Sequence, residues 1–337
     1  MNNCNILTAQ NIKSKRIIEV DYLKTLAIFL VVFGHFLECF YSSHSLLIYQ
    51  LIYMFHIPLF VFISGYLAKF KYSDLIKFGL IYLFFHLFYN VFNFFLSGTS
   101  ITLNVFYPYW ILWYLLSLII WKMTVPLLDK VSDKYYPLVI ISLFLIGLYV
   151  GSNTNINRLF SLSRMISFYP FFVLGYFNKK SQTFGFNLKI KNWIKLFLIL
   201  IVLLIFALLI DKNMFLSSAF YMADPYFGTQ HTIIQRTIIY MFAFIMIILI
   251  SSVSNTKKSV VIEHISKNTL TIFLLHGFII NLFKNFNILP NSNLSILFSI
   301  MLSIATVIVL TGIGLLITKL KTICTNKFKI KNQKKSI

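Results

Sequence analysis

Apolar runs long enough to cross a lipid bilayer recur from one end of this chain to the other, and that leaves few folds open. A transmembrane helix needs about 20 mostly apolar residues. Apolar runs lie at 25–41, 46–68, 76–96, 109–128, 136–151, 162–177, 193–210, 231–252, 269–282 and 294–320, of which the fifth, sixth and ninth are short. They predict an all-α fold: a polytopic membrane helix bundle of about ten transmembrane helices. A soluble core cannot hide this much apolar surface, because 58% of the residues are hydrophobic and only 12% charged. An aromatic share of 18% suits helices in lipid, with rings gathered at both interfaces.

The net charge is +21, but its placement argues against nucleic acid. With the N-terminus in the cytoplasm, only Arg158, Arg164, Lys212, Arg236 and Lys284 of the 30 Lys and Arg fall on the outer side. That asymmetry predicts both termini cytoplasmic. The basic excess then reads as topology plus attraction to anionic membrane lipids. The chain divides into a cytoplasmic segment at 1–24, a membrane domain at 25–320 and a basic cytoplasmic tail at 321–337. The first run is not a cleavable signal, since it contains His35 and Glu38 and follows a long polar stretch. Cys4, Cys39 and Cys324 fit no metal or disulfide spacing, so no metal is expected.

The first helix carries Asp21, Lys24, His35 and Glu38 in an otherwise apolar run. At 100° per residue, Lys24 and His35 lie within roughly 20° of each other, three turns apart. Asp21 and Glu38 fall on the same side. Ionisable groups inside a membrane usually face a bundle interior or wet cavity, and work there. His35 lies near mid-bilayer and can take a proton from a hydroxyl, with Glu38 or Asp21 orienting its ring. The same stripe with a satisfied core histidine is the plainer reading.

The second run holds His56-Ile-Pro58 and Ser64-Gly65-Tyr66. Pro58 kinks a helix and Gly65 permits close approach, which suggests a bent helix lining a cavity. Lys69 and Lys71 follow at the inner surface, where they grip phosphates or simply enforce topology. Trp110, Trp113 and Tyr114 open the fourth run as an interfacial belt. Arg164 is deep enough for a carboxylate such as Glu38 or a polar substrate. His276 lies near mid-depth in the ninth run. His86 is a weaker candidate.

These residues resemble the acyltransferase-3 family of integral-membrane O-acyltransferases, and within it the fucose 4-O-acetylase-like branch acting on bacterial polysaccharides. The resemblance rests on Lys24 and His35 spaced by ten residues, on Phe55-His-Ile-Pro-Leu-Phe60 and Phe62-Ile-Ser-Gly-Tyr66, and on Trp113-Tyr114-Leu115. Ser163-Arg164, Phe168-Tyr-Pro170 through Gly175-Tyr176, and Leu275-His276 complete it. Many members carry arginine where this chain has Lys24, which keeps the charge but loses the bidentate fork.

The resemblance implies an enzyme of the bacterial plasma membrane. It would move an acetyl group from acetyl-CoA to a sugar hydroxyl of a polysaccharide or its lipid-linked saccharide precursor, and would hold no permanent cofactor. Under that reading His35 is the base, while Lys24, Lys69, Lys71 and Ser64 meet the donor. His56, Trp113, Tyr114, Arg164 and His276 meet the acceptor or the reacting centre. A proton-coupled transporter or polysaccharide flippase is the rival. Transporters often show repeated halves, and no such symmetry is visible here.

Overall fold

A computed structural model describes residues 18–40, 43–101, 104–153, 156, 159–180, 185–186, 188–211, 215, 217–226, 232–253, 257–286 and 294–333. The side chains of 43, 44, 159, 211, 217 and 324–333 fall outside that description, as do Arg158 and Lys212. Twelve α-helices and four short 3-10 turns make up the secondary structure of the described residues, with no strand among them. The α-helices are α1 (Ile18–Cys39), α2 (Ser43–Tyr53), α3 (His56–Leu67), α4 (Tyr72–Ser97), α5 (Trp113–Leu128) and α6 (Tyr136–Val150). Then follow α7 (Leu162–Lys180), α8 (Asn192–Asp211), α9 (Ile233–Ser252), α10 (Val260–Lys267), α11 (Thr269–Asn285) and α12 (Ser295–Gln333).

Among the described residues eight helices are long and apolar enough to cross a membrane, or nine if the bent pair α10–α11 counts as one span. The protein is therefore a polytopic membrane helix bundle. The run at 162–177 is the helix α7 but is not among those eight or nine. It carries Arg164, Ser163 and Ser167, and it sits inside the protein with Phe171, Phe172 and Val173 fully buried. Helix neighbours, rather than lipid, surround that polar content.

The second run breaks between Tyr53 and His56, N-terminal to Pro58. Proline lacks an N–H and its ring clashes with the carbonyl four residues back, here that of Met54. The chain tightens there, with the Phe55 N–H donating to the Ile52 carbonyl at 3.2 Å.

Helices α3 and α7 cross with their backbones in contact. A Cβ on Gly65 would meet the Phe172 carbonyl, and one on Gly175 would meet the Phe62 carbonyl. The contact is reciprocal, and only glycine permits it at either position. This crossing holds His56 on α3 beside the cavity that Arg164 and Phe168 on α7 also line.

The α10–α11 pair bends by 73° at Asn268. A broken helix leaves carbonyls without partners, which is costly at membrane depth. The start of α1 supplies donors: Lys24 Nζ donates to the Ser266 carbonyl at 2.5 Å, and Thr25 Oγ1 to that of Ile262 at 3.2 Å. Asp21 Oδ1 accepts from Ser266 Oγ at 2.6 Å.

Lysine capping of helix ends recurs. Lys179 donates to the Ala68 carbonyl after α3, Lys180 to Leu128 at the end of α5, and Lys195 to Ser252 at the end of α9. Each cation meets the negative end of a helix dipole. Lys180 also pairs with Asp129 at 3.4 Å, and the Tyr176 hydroxyl donates to the same carboxylate. That hydroxyl holds the Asp129 carboxyl below its ordinary value of 3.8. We call this side of the bundle the basic end. The tail expected from 321 onward continues as helix to Gln333.

Candidate active site

His35 projects from near the C-terminal end of α1 into a cavity of about 250 Å³ that it lines with Glu38, Tyr53, His56, Trp110, Trp113 and Arg164, among others. Its Nδ1 lies 3.2 Å from Glu38 Oε2 and 3.3 Å from the Tyr53 hydroxyl. A carboxylate only accepts, so this geometry assigns the proton to Nδ1 and leaves Nε2 as a bare base. Glu38 is held in turn by the Tyr221 hydroxyl, which donates to Oε1 at 3.2 Å, and by Lys284 at 3.9 Å. Lys284 Nζ also stands 5.0 Å over the Trp110 ring.

Two further histidines close in. His276 stacks on His35 with ring centroids 5.4 Å apart, and is fully buried. His56 lines the same cavity. Both donate from Nδ1 to a carbonyl four residues back on their own helix, His56 to Ile52 at 2.9 Å and His276 to Ile272 at 3.1 Å. A carbonyl cannot donate, so each Nε2 is an acceptor. The Nε2 of His276 has no hydrogen-bond partner among the described residues. The Arg164 guanidinium lies 5.4 Å over Trp113 and 5.5 Å over Tyr221.

A second cavity, about 230 Å³, opens nearer the basic end and includes Lys24, Ser64, Tyr114, Lys122, Thr269 and Phe273 in its wall. Ser64 Oγ and the Tyr114 hydroxyl share a hydrogen bond of 2.5 Å. Lys122 is buried, 3.6 Å from Asp74. Away from the basic end a vestibule of about 410 Å³ is bounded by Tyr107, Trp110, Ser161, Arg164, Tyr221 and Asp224. Positive backbone φ occurs at four described non-glycine residues: Trp110 (32°), Phe160 (52°), Ser161 (53°) and Met222 (53°). All four lie in or beside this vestibule. Such strain persists only where the surroundings impose it, and it gathers at binding and catalytic sites.

The structure thus brings His35, Glu38, His56, Trp113, Tyr114, Arg164 and His276 together, with Lys24 and Ser64 in the adjoining cavity. It separates others that the sequence grouped with them. Asp21 lies 14 residues before His35, about 21 Å along the helix, and bonds Ser266. It is not positioned to orient His35, because a stripe on one helix face meets different neighbours along its length. Lys69 and Lys71 are exposed in the link between α3 and α4 and lie outside the lining of that cavity. His86 accepts from the Tyr109 N–H, apart from these cavities.

Tyr53, Trp110, Tyr221, Lys122 and Lys284 join the site from outside the expected set. Lys122, a lone cation within an apolar run, carried a readable signal. Tyr221 carried none.

The acyltransferase-3 family model, described as an acyltransferase domain, matches residues 17–315. The chain belongs to the acyltransferase-3 family. No curated protein and no solved structure matches it. Every cavity residue named above falls within the matched span, so this membrane acyltransferase carries its candidate site inside the family domain. An acyl donor, an acyl acceptor and membrane lipids are its partners by class.

Proposed function

We propose that this acyltransferase moves an acetyl group from acetyl-CoA to a sugar hydroxyl of a bacterial surface polysaccharide or its lipid-linked precursor, with His35 as general base. The observation that carries the proposal is the Glu38–His35 pair, whose Nδ1 contact leaves Nε2 to receive a proton. A hydroxyl is a poor nucleophile until a base takes its proton. Nε2 of His35 removes it, the oxygen attacks the thioester carbonyl carbon, and a tetrahedral oxyanion forms. The C–S bond then breaks, and the departing sulfur takes the proton back from His35. Glu38 holds the imidazole in the right tautomer and steadies its charged form.

Arg164 and the Tyr114 hydroxyl line the same cavity as His35 and are donors suited to the oxyanion. His56 Nε2 accepts from a sugar hydroxyl, and the buried His276 backs the His35 ring. The donor enters from the basic end, where Lys24 and Lys122 line the wall. Cavities below the roughly 300–1,000 Å³ of a ligand-enclosing pocket cannot hold a whole nucleotide thioester, so its nucleotide stays outside. The acceptor enters through the vestibule, whose aromatic rings and polar rim match a saccharide. The fucose 4-O-acetylase-like resemblance supports that acceptor class.

The test is mass spectrometry and proton NMR of the host's surface polysaccharide, with the protein present, deleted or carrying His35→Ala. Loss of one O-acetyl ester in both altered strains, with the glycan otherwise intact, is the expected result. Unchanged acylation with altered glycan amount or length would point to a transporter or flippase.

A further inference from the structure

Tyr114 and Phe273 are the two residues common to the walls of the basic-end cavity and the histidine cavity. Phe60 completes the partition, with its ring centroid 5.1 Å from Tyr114 and 6.4 Å from Phe273; Tyr114 and Phe273 stand 5.4 Å apart. Three helices, α3, α5 and α11, thus each contribute one ring. On the histidine side Phe273 lies 6.1 Å from His276, which stacks on His35. The polar atom of the partition is the Tyr114 hydroxyl, already bonded to Ser64.

We propose that this three-ring septum selects the acyl group: it admits a short acyl chain to His35, retains longer ones on the basic side, and keeps water off the thioester. The inference rests on the acyl-thioester reading above. Packed rings yield a passage only by rotating, and packed interiors resist each added methylene. A thioester carbonyl entering the septum takes the Tyr114 hydroxyl in exchange for Ser64, so one hydrogen bond replaces another. When the rings are trimmed, water gains the same carbonyl carbon. Its oxygen attacks, the C–S bond breaks, the thiol leaves with a proton, and the free acid remains.

The experiment uses the full-length protein in detergent, with acetyl-, butyryl- and hexanoyl-CoA as probes and no acceptor. Thiol release reports leakage, and a shift in melting temperature reports binding. One methylene in a fitted apolar site discriminates roughly 10–200-fold; butyryl adds two to acetyl, so the wild type should prefer acetyl- to butyryl-CoA by at least that factor. Phe273→Leu and Phe60→Leu, two independent walls, should lose most of that preference and release thiol faster. Phe273→Tyr, which keeps the ring, should retain the wild-type profile.

Leucine variants that bind the esters yet keep wild-type preference and release would overturn the septum while leaving the donor reading intact. Leakage in Phe273→Tyr equal to that of the leucine variant would also overturn it. A wild type that responds to none of the three esters would remove the donor reading, and the septum with it.

Discussion

His35 and Glu38 face each other across one turn of α1, Nδ1 to Oε2 at 3.2 Å, in the wall of a cavity shared with His56, and His276 stacks on His35 from behind. If they act as base and orienting partner, their effects are unequal and linked. His35→Ala should lower turnover roughly 10²–10⁴-fold. Glu38→Gln keeps the shape but removes the charge, and should cost less. The double variant should be no worse than His35→Ala, because residues acting as a unit are not additive. Single-turnover transfer on purified protein reads all three, and additive losses would mean separate roles.

The reciprocal crossing of Gly65 and Gly175 makes a stability prediction. Gly65→Ala and Gly175→Ala each push a methyl group into the opposite backbone. Overpacking costs typically 1–3 kcal/mol, and backbone is the least yielding neighbour. Both variants should melt well below the wild type in detergent. Gly79→Ala, where a Cβ meets nothing, should not.

Asp129 sets an acid-side limit. Its folded pKa is depressed by the Tyr176 hydroxyl, then by Lys180. Its contribution is therefore present above the ordinary value of 3.8 and is lost as pH falls through the lowered folded value. Melting curves from pH 6 down to about 3 should fall more steeply for wild type than for Asp129→Asn, since only the former has that linkage to lose. Identical slopes would show that the carboxylate contributes nothing.

Lys24 and Lys122 line one cavity but should respond differently. Lys24→Met strips the Ser266 carbonyl at the α10–α11 bend of its charged donor and leaves it Thr269 Oγ1 at 3.3 Å; a hydrogen bond from a charged group contributes about 1.5–3 kcal/mol. Its melting temperature should drop. Lys122→Met should leave stability nearer that of wild type and raise the apparent KM for acetyl-CoA. Equal melting and equal KM in the two variants would refute the division.

Much of this was legible in the residues. Long apolar runs gave the bundle, and the stripe on the first helix pointed at a site because lipid does not tolerate four ionisable groups on one face. The stripe told its face but not its partners: Asp21 and Lys24 meet α10, while His35 and Glu38 meet the cavity. Pro58 announced a bend, and the break fell three residues earlier, where its ring exerts its clash. Tyr221 and Lys284 arrive from chain segments about 180 to 250 residues past His35, a distance that local periodicity does not span. That the run at 162–177 packs among helix neighbours rather than lipid was not legible, because an apolar helix buried in protein and one facing lipid share a period.

The lysines at the basic end were expected to face anionic lipid or a donor's phosphates. Four of them instead close helix ends: Lys24, Lys179, Lys180 and Lys195 each donate to a terminal carbonyl. Charge that orients the chain during insertion is thereby reused to finish its helices once inserted. Neutralising one of these lysines removes a helix cap along with a positive charge, so loss of activity at such a position is no evidence of contact with the donor.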